Sequence, residues 1–186
     1  MFKGIFNKLL KTKAAQAENS FALFDIYLYN LKTNIDDDNA AYELLRESSF
    51  LVSNENGEQV KQYNQNVASF FNLPKIERYI KCINDSKNET YTLKYKDKLL
   101  SWRETPNLAS DDFEIFMLSK LVSADIEIRF DVCSVGLSDH DYYALTPEIW
   151  RQLEEKYDLE FVRSHFEPMV EFSEYGYEFE LALSEL

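Results

Sequence analysis

Apolar side chains recur along this chain with two different periods, and the change of period divides the sequence. Near the start, Phe2, Ile5, Phe6, Leu9 and Leu10 stand at i, i+3, i+4, i+7 and i+8, which predicts a helical stripe over residues 1–12. Gly4 inside it weakens the helix by about 1 kcal/mol relative to alanine. Residues 12–19 carry no apolar pattern beyond small alanines. Residues 21–31 mix both signals: Phe21, Phe24, Leu28 and Leu31 fit a helix, whereas the aromatic and β-branched content suits a strand. The spacing favours helix. Asp36, Asp37 and Asp38 then open a helix through Leu44 and Leu45, because carboxylates in a first turn complement its free amides and dipole. Val60, Tyr63, Val67, Phe70 and Phe71 predict another helix, and Pro74 stands at the first position of one more, burying Ile76, Tyr79, Ile80 and Ile83.

From residue 90 the period shortens to two. Tyr91, Leu93 and Tyr95 alternate with Thr90, Thr92 and Lys94, and Leu100 and Trp102 follow across Lys96-Asp97, predicting a hairpin. Ser110, Asp111 and Asp112 cap a helix carrying Phe113, Phe116, Met117 and Leu121. Ile126, Ile128, Phe130 and Val132 alternate with Asp125, Glu127, Arg129 and Asp131, the pattern of a half-buried strand. A loop around Gly136 leads to a short strand from Tyr142 to Leu145. Thr146-Pro147-Glu148 supplies a capping hydroxyl, a first-turn proline and a first-turn acid for a helix lined by Ile149, Trp150, Leu153 and Tyr157. Tyr177, Phe179, Leu181 and Leu183 alternate with Glu178, Glu180, Ala182 and Ser184 in a terminal strand, expected to share a core sheet with Ile126–Val132. Helices first, then strands mixed with helices, predict an α+β protein: a helix-rich N-terminal half followed by a small antiparallel or mixed sheet. The expected organisation is an amphipathic basic helix at 1–12 and a single α+β domain over 20–186.

Charge changes the picture more than composition does. The chain has 33 acidic and 20 basic side chains, a formal charge of −13, which argues against nucleic-acid binding by bulk electrostatics while leaving room for a local basic patch. The charge is also uneven. Lys3, Lys8, Lys11 and Lys13 face no acid within residues 1–13, while Glu167, Glu171, Glu174, Glu178, Glu180 and Glu185 face no base within 167–186. Two cysteines, Cys82 and Cys133, and the lack of a long apolar leader or bilayer-length apolar run predict a cytoplasmic protein with free thiols and no integral membrane segment.

The chemical candidates are few. Asp139-His140-Asp141, with Asp131 and His165, has residue types that can ligate a divalent ion or transfer protons. Neighbours in an extended loop point in different directions, however, and a polar turn is the simpler reading. Cys133 could be a nucleophile with His140 or His165 as base, but Asp125, Glu127 and Asp131 place it in a negative field that opposes a thiolate. Four glycines exclude a Gly-rich phosphate cradle. The stripe over residues 2–10 could lie on an anionic membrane, although a segment so short holds one only marginally. The acidic end remains. Glu171, Phe172, Glu174, Tyr175, Glu178 and Glu180 interleave carboxylates with rings, the composition of a recognition surface. The sequence thus predicts a small acidic protein-binding module, not an enzyme, with no catalytic residue, metal or cofactor, that engages a basic protein partner. A toxin-neutralising immunity-type protein is its concrete form. The alternatives are a metal-assisted hydrolase using Asp131, Asp139, His140 and Asp141, and a peripheral membrane adaptor working through residues 2–10.

Overall fold

The computed structural model describes residues 13–33, 38–46, 51–53, 74, 76–82, 89–103, 111–134 and 140–169. The expected helices at 1–12 and 60–71 and the terminal strand at 177–183 lie outside them. Within them the chain is α+β, with helices preceding most of the strands. Helix α1 (Lys13–Thr33) and helix α2 (Asp38–Arg46) come first. Strands β1 (Leu51–Ser53), β2 (Glu77–Cys82), β3 (Glu89–Tyr95) and β4 (Lys98–Arg103) follow. Helix α3 (Asp111–Val122), β5 (Glu127–Asp131), a 3-10 turn (Val132–Ser134) and β6 (Asp141–Leu145) come next, and α4 (Pro147–Tyr157), α5 (Leu159–His165) and β7 (Phe166–Pro168) complete the order.

Two antiparallel sheets result. One is ordered β1-β6-β5-β7 and the other is the meander β2-β3-β4. The hairpin expected at Lys96-Asp97 is there, pairing Tyr95 with Lys98. Its turn needs no glycine because Lys96 itself takes a positive φ of 57°, and its ammonium lies 2.6 Å from Asp125 Oδ2. Residues 21–31 belong to α1, and the helix expected to open at the three aspartates starts at the last of them, Asp38.

The segment after Pro74 departs from the expectation. Ile76, Tyr79 and Ile80 fit a helical stripe, yet Glu77–Cys82 is a strand, zipped in register from Glu77↔Lys94 to Cys82↔Glu89. Cross-strand pairing with a strongly β-prone neighbour overrides a short helical period. At α4 the proline takes its helix-start position, but the Thr146 side chain makes no capping hydrogen bond.

The four-stranded sheet separates two apolar clusters. On one face Ile128, Phe130, Tyr142 and Ala144 join α3 and the three-stranded sheet through Phe113, Phe116, Leu93 and Trp102. On the other, Tyr143, Leu145 and Phe166 meet α1, α2, α4 and α5 through Phe24, Leu28, Leu45 and Trp150. Helix α3 packs against β3, β4 and β5, so Phe113 through Ser119 are all buried and its sequence shows little polar face. Phe24 is the hub of the other layer, in edge contact with Tyr143, Trp150 and Phe166 at 5.2–5.3 Å.

This layering corrects the expectation of a half-buried β5. From Ile128 to Asp131 every residue is buried, because helices cover the face that carries Arg129 and Asp131. Arg129 is accommodated by pairing: Nε lies 2.6 Å from Glu127 Oε1 and a terminal nitrogen 2.8 Å from Glu154 Oε1. Its guanidinium also lies 4.3 Å from the Trp150 ring, whose Nε1 donates to the Glu127 carbonyl.

Candidate functional site

The buried charge that pairing does not account for lies at the carboxyl end of β5. In the register that sets Phe130 opposite Tyr142, strand alternation turns Asp131, Asp141 and Tyr143 to the helix-covered face. Asp131 and Asp141 are both fully buried. The 3-10 turn fastens the two strand ends together: Ser134 Oγ donates to the Asp131 carbonyl at 2.6 Å and accepts the Asp141 N–H at 3.1 Å. The Cys133 N–H donates to Asp131 Oδ1 at 2.9 Å.

Helices supply the remaining members. Arg46, at the end of α2, brings Nε to 3.1 Å from Asp141 Oδ2, and its guanidinium stands 5.9 Å from the ring of Tyr42, one turn earlier. Tyr27 of α1 reaches the Cys133 thiol. Among the described residues, neither Asp131 Oδ2 nor the Tyr143 hydroxyl, both buried here, has a hydrogen-bond partner. Such atoms are uncommon in a folded interior, where an unsatisfied group costs about 1–3 kcal/mol.

The electrostatics follow from this burial. Desolvation pushes the Asp131 carboxyl up to about 6; the Cys133 N–H opposes the shift and the Asp141 charge adds to it. Burial, and then the same two carboxylates, raise Tyr42 to about 12 and Tyr143 well beyond the usual phenol range. Tyr27 is also pushed far up, by burial first and then by Cys133 and Asp131. The Asp141 charge raises Arg46 further, which keeps it cationic. Cys133 is raised by burial and then by Asp131, so the thiol is poorly activated, although the residue itself is exposed.

Of the residues singled out in the sequence, Asp131 and Asp141 come together and the histidines do not join them. His140 packs its ring edge-on to Phe130 at 5.4 Å, and Phe130 belongs to the opposite core. His165 turns to its own helix, with Nδ1 2.9 Å from the Phe161 carbonyl. Asp139 lies outside the described residues, as do Glu171, Phe172, Glu174, Tyr175, Glu178 and Glu180. Among the described residues no three His, Cys, Asp or Glu side chains are placed to hold a metal ion. The sequence reading missed Arg46, Tyr42, Tyr27 and Tyr143. Only Tyr143 carried a signal, standing two residues from Asp141 in a strand and therefore on the same face.

No helix among the described residues is long and apolar enough to cross a membrane. Comparison with protein-family models, with curated proteins and with solved structures finds no match.

Proposed function

We propose that this chain is a protein-binding module that engages a basic protein partner, with toxin neutralisation of the immunity type as its most concrete form. The observation that carries the reading is the distribution of charge. The formal charge is −13. Many acids of the described part are already matched: Asp125 by Lys96, Glu127 and Glu154 by Arg129, Glu148 and Glu155 by Arg151, and Asp25 by Lys156. Glu171, Glu174, Glu178, Glu180 and Glu185 have no basic residue between them in sequence. A field of this sign attracts cationic surfaces and mainly raises the association rate, while a few desolvated rings such as Tyr175 slow dissociation.

The test is to isolate the partner and measure both rate constants at low and high salt. Reversing Glu174, Glu178 and Glu180 to lysine should slow association and flatten its salt dependence. Tyr175→Ala should act on dissociation. A neutral or acidic partner, or association indifferent to salt and to the reversals, removes the reading.

A further inference from the structure

Resting on the reading of the chain as a binder of basic partners, we infer that the Asp131 end of β5 is a receptor for one guanidinium of the partner, which completes a second carboxylate–cation pair beside Arg46 and Asp141. Three observations place it there. Among the described residues Asp131 Oδ2 and the Tyr143 hydroxyl are buried without a hydrogen-bond partner, and the Asp131 carboxylate is met only by the N–H and the weakly donating thiol of Cys133, so an incoming donor finds acceptors already stripped of water. Arg46 shows which chemistry the cluster accepts, since its guanidinium lies against Asp141 and over the Tyr42 ring. The wall is aromatic, with Tyr27, Tyr42 and Tyr143 all coupled electrostatically to Asp131. Tyrosine rings around a desolvated carboxylate are the composition of an interface hot spot. Among the described residues no third carboxylate or imidazole joins Asp131 and Asp141 to hold a metal ion.

Arg46, Tyr42 and Cys133 are the members of the cluster that reach solvent, so a side chain of the partner would have to displace them to reach Asp131, which is itself fully buried. Helix α2 bears the first two, and of its side chains only Ala41 and Leu45 are described as buried. Binding forms no covalent bond. It exchanges hydration of the incoming guanidinium for a charge-assisted hydrogen bond to Asp131 Oδ2, and Tyr143 gains a cation beside its oxygen.

The probe is arginine amide, with lysine amide, sodium chloride, magnesium chloride and calcium chloride at matched ionic strength as comparisons. Two readouts are used: the carboxyl carbon shift of Asp131 against pH, and the rate of Cys133 modification by a disulfide reagent in a Cys82→Ser background. Arginine amide should lower the Asp131 midpoint by about one unit, equivalent to a tenfold preference for the ionised form. It should also slow Cys133 modification several-fold. The protection of Cys133 should vanish in Asp131→Asn, and both effects should persist in Asp125→Asn. Equal effects from sodium chloride, effects confined to magnesium or calcium, or an unchanged response in Asp131→Asn would each overturn the inference. Salt-dependent association with a basic partner that persists in Asp131→Asn would sink this site alone and leave the broader reading standing.

Discussion

Replacing Asp131 with asparagine isolates the energetic consequence of sealing a carboxylate beneath the helices. In the folded chain its proton is held up to about 6, against an ordinary value of 3.8. Each unit of such a difference is about 1.4 kcal/mol, so the ionised form is disfavoured by roughly 3 kcal/mol on folding. The sign follows from proton counting. Between those two values the unfolded chain binds fewer protons at this site than the native one, so stability falls as the pH rises through that window. The penalty is complete above about 6. Asparagine has the same shape, can keep the Cys133 N–H bonded through its oxygen, and carries no charge. Asp131→Asn should therefore match the parent near pH 4 and exceed its stability by up to roughly 3 kcal/mol at pH 7.5. The charged and titratable neighbours Asp141, Arg46, Tyr42, Tyr27, Tyr143 and Cys133 are common to both proteins. The difference between the two therefore reports this position and its coupling to them. Urea unfolding of both chains at several pH values from 4 to 7.5 measures it. A difference that does not change with pH, or a variant less stable at pH 7.5, would refute the reasoning.

Other outcomes follow from packing and backbone geometry. Phe130→Ala removes a fully buried ring from the cluster shared with α3 and should cost about 3–5 kcal/mol in chemical denaturation. Arg129→Ala strips the buried partner from Glu127 and Glu154 and should cost a similar 3–5 kcal/mol. Arg129→Lys should recover little of this, because a lysine loses the fork and the stacking on Trp150. Asp158 holds a φ of 88° while its carboxylate accepts from the Glu160 and Phe161 N–H groups. Asp158→Ala should therefore cost about 1–3 kcal/mol, and Asp158→Asn, which tolerates the conformation and keeps the cap, should be near neutral by thermal melting.

The elements with a long, unbroken period were readable from residues alone. Trp150 and Leu153 fell where α4 buries them, and Leu93, Tyr95 and Trp102 placed the hairpin because alternation there continues through both strands. Strand β2 was misread since Ile76, Tyr79 and Ile80 satisfy a helical spacing, and only its pairing with β3 decides the matter. The second buried face of β5 was hidden for a different reason. Arg129 and Asp131 look like a solvent face until α1, α2 and α4 are known to lie over them. Three members of the polar cluster, Asp131, Cys133 and Asp141, stood out in the sequence because they lie close together along the chain. Arg46, Tyr42 and Tyr27 reach it from distant helices, and no local pattern announces that arrival.

Helix α1 is held by late parts of the chain: the Tyr157 hydroxyl donates to the Asp25 carbonyl, and Lys156 Nζ lies 2.5 Å from Asp25 Oδ1, across separations of 132 and 131 residues. During synthesis, then, the first of these helices to leave the ribosome is among the last to find its seat. Phe24 and Leu28 must wait without Trp150 and Phe166 until most of the chain has been made, whereas the β3–β4 hairpin can close at once. A nascent chain stalled before α4 would carry that uncovered aromatic stripe into the cell, and would be a natural client for chaperones that recognise exposed apolar helices.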